Sequence, residues 1–324
     1  MNKQTLYTSN SKPCIKQNRI IVTVIKLIAF IVICICIVFC WLLPQYLYGY
    51  NASIIDKVSR LKQVDSPKII LVGNSNLPFG IRSEMIESEF GMPVVNLGIH
   101  GGLGNQFHEN LIKGSINEGD LVIICHTDYS DDETDYVLTW TTIENHFDLW
   151  KYVPMEEYLN MVRAFPTYLK KCIHNQEAEI KNIMEYDECY SRLSFNTYGD
   201  NVYNESHEEY YEFEADYKSV APEIDSSTVN RLNKLNDYVT NNGGKMVIAG
   251  YPIAVDNDGT AEQYLLFKIF QEELAMKLDC EVISDFTDYF IDYGYFYNTR
   301  LHLTANGARL RTKQLIEDIK YILP

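Results

Sequence analysis

KIILVGNSNLPFG, residues 68–80, is the stretch on which the reading of the fold turns. KIILVG is short, bulky and rich in β-branched residues, the composition of a strand buried on both faces of a sheet. It ends at a glycine. Ser75 follows almost at once and precedes a helix-like stretch at 82–90. A strand that passes through a tight polar turn into a helix is the opening of a βαβ unit.

Four further runs have the same character: VVNLG at 94–98, DLVIICH at 120–126, KMVIAGY at 245–251 and CEVIS at 280–284. Helix-like stretches at 104–117, 229–242, 260–278 and 304–321 separate and follow them. This alternation predicts an α/β domain with a five-stranded parallel sheet. Residues 127–244 are too long for one crossover, so they predict an insertion, read here as helical. The insertion is rich in tyrosine, including Tyr186, Tyr190, Tyr198, Tyr203, Tyr210, Tyr211 and Tyr217. Such rings could stack on sugars or pack between surface helices.

Ligands of an open parallel sheet bind beyond the carboxyl ends of its strands. Three loops leave that edge. GNSNLPFG, 73–80, offers the Ser75 hydroxyl, and its backbone N–H for a developing oxyanion. NLGIHGGLGN, 96–105, carries Gly98, Gly101, Gly102 and Gly104, which allow close backbone approach, and Asn105, a side-chain donor or a simple helix cap. Its spacing fits neither the dinucleotide nor the Walker pattern, which argues against a nucleotide-binding flavodoxin-like domain. FYNTRLHLTANGARLRT, 296–312, carries His302 just ahead of a helix that Thr304 could cap. Topology therefore places Ser75 and His302, 227 residues apart in sequence, on one rim, where an imidazole could activate a hydroxyl. His100 and His126 share that rim as further ligands or bases. With Asp128 they could make a metal site, though no spacing compels it, and no cofactor is expected.

The amino terminus is of another kind. IIVTVIKLIAFIVICICIVFCWLL, 20–43, holds a single charge, Lys26, and is long enough to span a bilayer as a helix. A cleaved signal peptide usually has a shorter apolar region ending in small residues, whereas this one ends in Trp41, Pro44, Tyr46 and Tyr48. Lys3, Lys12, Lys16 and Arg19 precede the run without an acid, so residues 1–19 are expected in the cytoplasm. The expected order is then leader 1–19, anchor 20–43, linker or stalk helix 44–65, and an exported domain over 66–324. Residues 1–50 hold five basic and no acidic residues, leaving 23 basic and 44 acidic residues beyond them, a formal charge of −21. That balance argues against nucleic acid or an anionic bilayer as partner. Of the four cysteines beyond the anchor, Cys172 and Cys189 could pair in an oxidising compartment.

The first and last loops, with the glycine loop, resemble blocks of the SGNH/GDSL hydrolase superfamily. Gly73-Asn74-Ser75 is similar to its Gly-Asp-Ser block, Gly98 to the block II glycine, and the segment around His302 to the block carrying the catalytic histidine. The layout resembles the membrane-anchored subgroup related to surface-polysaccharide and teichoic acid acylation. The resemblance covers roughly residues 66–126 and 245–321. It implies a three-layer α/β/α fold, Ser75 as nucleophile and His302 as general base. It also implies an oxyanion hole from the N–H groups of Ser75 and Gly98 with the Asn105 side chain.

One departure bears on chemistry. The family usually carries an aspartate three residues before the histidine, and Thr299 stands there, with Asn298 one further back. An amide brings no charge to stabilise an imidazolium. A backbone carbonyl could orient His302, or an acid from the preceding segment (Asp285, Asp288 or Asp292) could substitute, or the site could bind without catalysing. The expected function is an extracytoplasmic esterase or O-acyltransferase acting on acyl esters, in the first instance acetyl esters, of surface carbohydrate or cell-envelope glycopolymer. The alternative is an inactive binding or assembly component of a surface-polysaccharide pathway.

Overall fold

The computed structural model describes residues 13–42, 47–130, 134–144, 146–177, 189–256 and 259–323. It divides into two compact units, residues 1–45 and 46–324.

In the first unit, α1 (Pro13–Ile37) runs on into a π-helical turn at Val38–Leu42. The segment Arg19–Cys40 is long and apolar enough to cross a membrane, as an anchor or a signal sequence would be. Its apolar side chains are exposed, Ile20 and Phe30 among them.

The second unit is α/β. Its strands are β1 (Ile69–Val72), β2 (Val94–Asn96), β3 (Leu121–Ile124), β4 (Lys245–Ile248), β5 (Ile253–Val255), β6 (Glu281–Val282) and β7 (Phe290–Asp292). Five of them form a sheet in the order β2-β1-β3-β4-β6, every pair parallel, as expected. Ile69 to Val72 are all fully buried, which is why this run contains no polar residue. The register sets Ile69 beside Val94 on one side and Leu121 on the other. The low end of β1 and β3 is tied by a buried ion pair, Lys68 Nζ to Asp120 Oδ2 at 2.9 Å.

Nine helices accompany the strands among the described residues: α2 (Ile54–Gln63), α3 (Asn76–Gly80), α4 (Ser83–Phe90), α5 (Asn105–Asn110), α6 (Tyr136–Ile143), α7 (Tyr158–Glu177), α8 (Ser226–Asn241), α9 (Ala261–Lys277) and α10 (Ala305–Lys320). The helix-like stretches of the sequence correspond to α4, α5, α8, α9 and α10. The insertion between β3 and β4 holds α6 and α7 and, over 189–225, an irregular stretch before α8. Tyr186 lies outside the described residues.

Three expectations need correction. Residues 54–63, read as part of a linker, belong to the α/β unit. Helix α2 buries Ile54, Val58 and Leu61 and is stapled to the β2 edge, with Arg60 Nε donating to the Val94 carbonyl at 2.8 Å. Its Lys57 is also buried and donates to the carbonyls of Asn96 and Gly199. The run 245–251 is not one strand. It ends at Ile248, and Gly250 beyond it lies against the Tyr289 ring, where an added Cβ would sit 2.4 Å from the ring. The chain then turns into β5, which pairs in parallel with β7 as a separate two-stranded sheet. Finally, Cys172 and Cys189, which could have paired, form no disulfide with each other.

β1 is flanked by β2 on one side and β3 on the other, so the strand order reverses beside it. A crevice opens at such a reversal, above the carboxyl ends of the two central strands. Ser75 emerges there.

Candidate active site

Gly73 is dictated by the sheet. A Cβ on it would meet the Cys125 carbonyl oxygen at 2.8 Å, so only glycine lets β1 run this close to β3. Asn74 shapes the turn that follows. Its Oδ1 accepts from the Asn76 backbone N–H at 3.0 Å, and its amide donates to Thr127 Oγ1 at 2.6 Å. Ser75 then begins α3, half-buried, with its hydroxyl towards the crevice.

His302 arrives from the other end of the chain. Its N–H is held by Thr299, through Oγ1 at 3.1 Å, and its carbonyl accepts from Tyr297 N–H at 2.8 Å. Thr304 caps α10 two residues later, accepting from Gly307 N–H at 3.2 Å. The imidazole is 4 % exposed and lies flat on the Phe79 ring.

The two side chains meet. Ser75 Oγ and His302 Nε2 are 2.9 Å apart, and His302 Nδ1 is 2.8 Å from Asn298 Oδ1. The Asn298 amide nitrogen points the other way, donating to Cys189 Sγ at 3.4 Å. This network sets the proton positions. An amide oxygen only accepts, so Nδ1 carries the hydrogen and Nε2 keeps its lone pair for the serine O–H. Burial, and after it the nearby His100, pulls the His302 pKa down to about 3. The ring is therefore neutral at physiological pH.

The acids considered as orienting groups are occupied elsewhere. Asp285 accepts from Thr287 N–H at 3.0 Å and pairs with Lys268. Asp288 is exposed, and Asp292 accepts from Gly294 N–H at 2.9 Å. Asn298 makes the contact instead, because Thr299 is used to tighten the backbone turn into His302.

Two of the expected oxyanion donors are also committed. The Gly98 N–H donates to Asn96 Oδ1 at 3.0 Å, and an added Cβ there would lie 2.5 Å from Leu77 and Pro78. Gly98 is thus a packing glycine beneath α3. The Asn105 side chain is buried and donates to the Asp128 carbonyl at 3.1 Å. Gly101 stands next to Asn74 and lines the crevice with Ser75. The N–H groups of Ser75 and Gly101 have no hydrogen-bond partner among the described residues.

The histidines separate. His100 borders the crevice, its Nδ1 accepting from Gly102 N–H at 3.0 Å. His126 is fully buried and bound to Glu109 Oε1 at 3.0 Å, with Arg231 on the same carboxylate. It is neither a rim base nor a partner of His100. No group of three His, Cys, Asp or Glu side chains among the described residues could hold a metal ion.

The crevice has a volume of about 680 Å³. Tyr50 and Tyr190 form one wall with rings 5.7 Å apart, and Leu138 and Leu301 add apolar surface. Of the insertion's other tyrosines, Tyr198 packs under Arg60 and Tyr203 stacks on His207. Tyr50, Phe79 and Cys189 were not legible as site residues. They reach it by packing, from segments that read as linker, turn and insertion. No family model, curated protein or solved structure matches the chain.

Proposed function

We propose that the chain is a serine esterase or O-acyltransferase of the SGNH type, acting on acyl esters of a carbohydrate. The observation that carries this reading is the hydrogen-bonded line Ser75–His302–Asn298, with contacts of 2.9 and 2.8 Å, opening into a crevice at the reversal of a parallel sheet. In this reading the sheet is the centre of a three-layer α/β/α sandwich. The apolar helix is a membrane anchor. The basic leader places the acidic domain on the extracytoplasmic side.

The chemistry follows from the atoms present. Ser75 Oγ bonds to the acyl carbon while its proton passes to His302 Nε2. The carbonyl oxygen takes the negative charge and lies against the N–H groups of Ser75 and Gly101. The ester C–O bond then breaks, and the leaving sugar oxygen takes the proton from Nε2. Water or a second sugar hydroxyl attacks the acyl-serine, gives its proton to Nε2, and releases Ser75 with that proton. Water gives deacylation, and a sugar hydroxyl gives transfer. Asn298 holds the ring in the tautomer that can accept the first proton, as the amide does in cysteine proteases that use a Cys-His-Asn set.

A second reading has one observation in its favour. His302 lacks a carboxylate partner, so the same crevice could bind an acylated glycan without turning it over. A fluorophosphonate probe separates the two. The enzyme reading expects covalent labelling of the full chain that is abolished in Ser75→Ala and strongly reduced in His302→Ala. Folded protein that takes no label belongs to the binding reading.

A further inference from the structure

The residues around Ser75 carry a charge opposite to that of the domain. Beyond residue 50 acids outnumber bases 44 to 23. Yet none of the described residues lining the crevice is acidic, whereas Lys171 and Arg300 both line it. Arg300 stands on the catalytic loop itself, between Asn298 and His302. It is exposed, and it also borders a second cavity of about 270 Å³, so it forms the ridge between the two.

The other arginines of the unit give the comparison. Arg60, Arg82, Arg192, Arg231 and Arg309 each lie within ion-pair distance of a carboxylate. Arg311 is buried and donates to the carbonyls of Asn76 and Gly250, and Arg163 donates to Asn160. Arg300 has no hydrogen-bond or ion-pair partner among the described residues. A guanidinium offers a planar fork that matches a carboxylate or a phosphate. In a domain this rich in acids, leaving that fork open beside the nucleophile keeps it available for a ligand.

Resting on the esterase reading, we infer that the substrate bears an oxyanion, a carboxylate or a phosphate, close to the acylated position, and that Arg300 binds it while Ser75 attacks the ester. An anionic glycopolymer crossing the ridge from one cavity to the other would set a charged unit over Arg300. Neutral acylated glycans would leave the fork empty and gain nothing from it. Arg300 is then the residue that selects the substrate, and Lys171, which lines the same crevice, adds to the field.

The test uses the full chain in non-ionic detergent micelles at low ionic strength. kcat/KM is compared for three acetyl esters: acetylated trigalacturonate, acetylated glycerol phosphate dimer and acetylated xylotriose. At least one anionic ester is expected to exceed the neutral one by about tenfold, and which one does so distinguishes carboxylate from phosphate. In Arg300→Ala that ratio falls about fivefold or more, and Arg300→Lys restores part of it. Added salt lowers the ratio in the wild type. Ser75-dependent turnover with no anionic preference overturns the inference and leaves the esterase reading standing. Should no ester be turned over, calorimetry on Ser75→Ala with deacetylated trigalacturonate and glycerol phosphate dimer decides. Binding lost in Arg300→Ala supports the anion site while counting against the esterase, and no binding overturns the inference.

Discussion

The His302 imidazole lies face to face on the Phe79 ring, with 3.9 Å between centroids and 14° between planes. Phe79 is fully buried in the short helix that Ser75 opens, so the element carrying Ser75 also carries the platform for His302. Phe79→Ala should cost about 3–5 kcal/mol of stability through the cavity it leaves. Phe79→Leu keeps most of the volume and should cost under about 1.5 kcal/mol. It nonetheless loosens the ring, so kcat should fall on the order of tenfold with little change in KM. Urea denaturation and steady-state kinetics on the two variants read these effects separately. Phe79→Leu with wild-type kcat would show that the stacking has no bearing on the base.

Asn298→Asp tests the role of the missing charge. In the wild type the His302 pKa is about 3, so the ring is already neutral, and under the proposed esterase function kcat/KM should be flat from pH 5 to 8. A carboxylate on Nδ1–H stabilises the protonated ring, which raises that pKa. The rising limb of the profile should therefore move to higher pH. Above it the variant should equal or exceed the wild type, because the imidazolium formed in the transition state is now stabilised. Superimposable profiles would mean that Asn298 does not govern the histidine.

Acid stability should report the same burial. His302 and His108 are both held at about 3 when folded, His302 by burial and then His100, His108 by burial and then His126. Unfolded, each titrates near 6.5. Between those values the unfolded chain binds more protons than the folded one, so stability is full above pH 6.5 and falls as pH drops towards 3. Melting temperatures measured at pH 7.5, 6.5 and 5.5 should decline over the last interval, before most carboxylates titrate. His302→Gln and His108→Gln should each flatten that decline. An unchanged slope in the double variant would place the acid sensitivity elsewhere.

Gly98 and Gly101 should separate cleanly. A methyl at Gly98 meets Leu77 and Pro78 at 2.5 Å, so α3 must move. Gly98→Ala should cost about 1–3 kcal/mol and displace Ser75 with it. At Gly101 the nearest atom, Asn74 Cβ, is 3.5 Å away, an ordinary contact. Gly101→Ala should melt within about 0.5 kcal/mol of the wild type. Thermal melts of the pair check this, and equal destabilisation would contradict the packing assigned to Gly98.

Much of this architecture was present in the order of residues. The apolar runs at 68–73, 94–98 and 120–126 cannot be anything but buried, and strands buried on both faces need helices between them. That is enough to predict a parallel sheet and to put the loops of Ser75 and His302 on one rim. The apolar segment ending near Cys40 was legible for the same reason, since it has no polar face to solvate. What the tertiary structure alone decided concerns partners. An amphipathic helix such as α2 reads alike whether it stands free or packs on β2. Asn298 and Asp285 are equally plausible beside a histidine until the turn at Thr299 is closed. Four glycines in one loop look interchangeable until α3 lies on one of them. Burial is a property each segment carries with it, whereas contact between distant side chains exists only once the chain has folded.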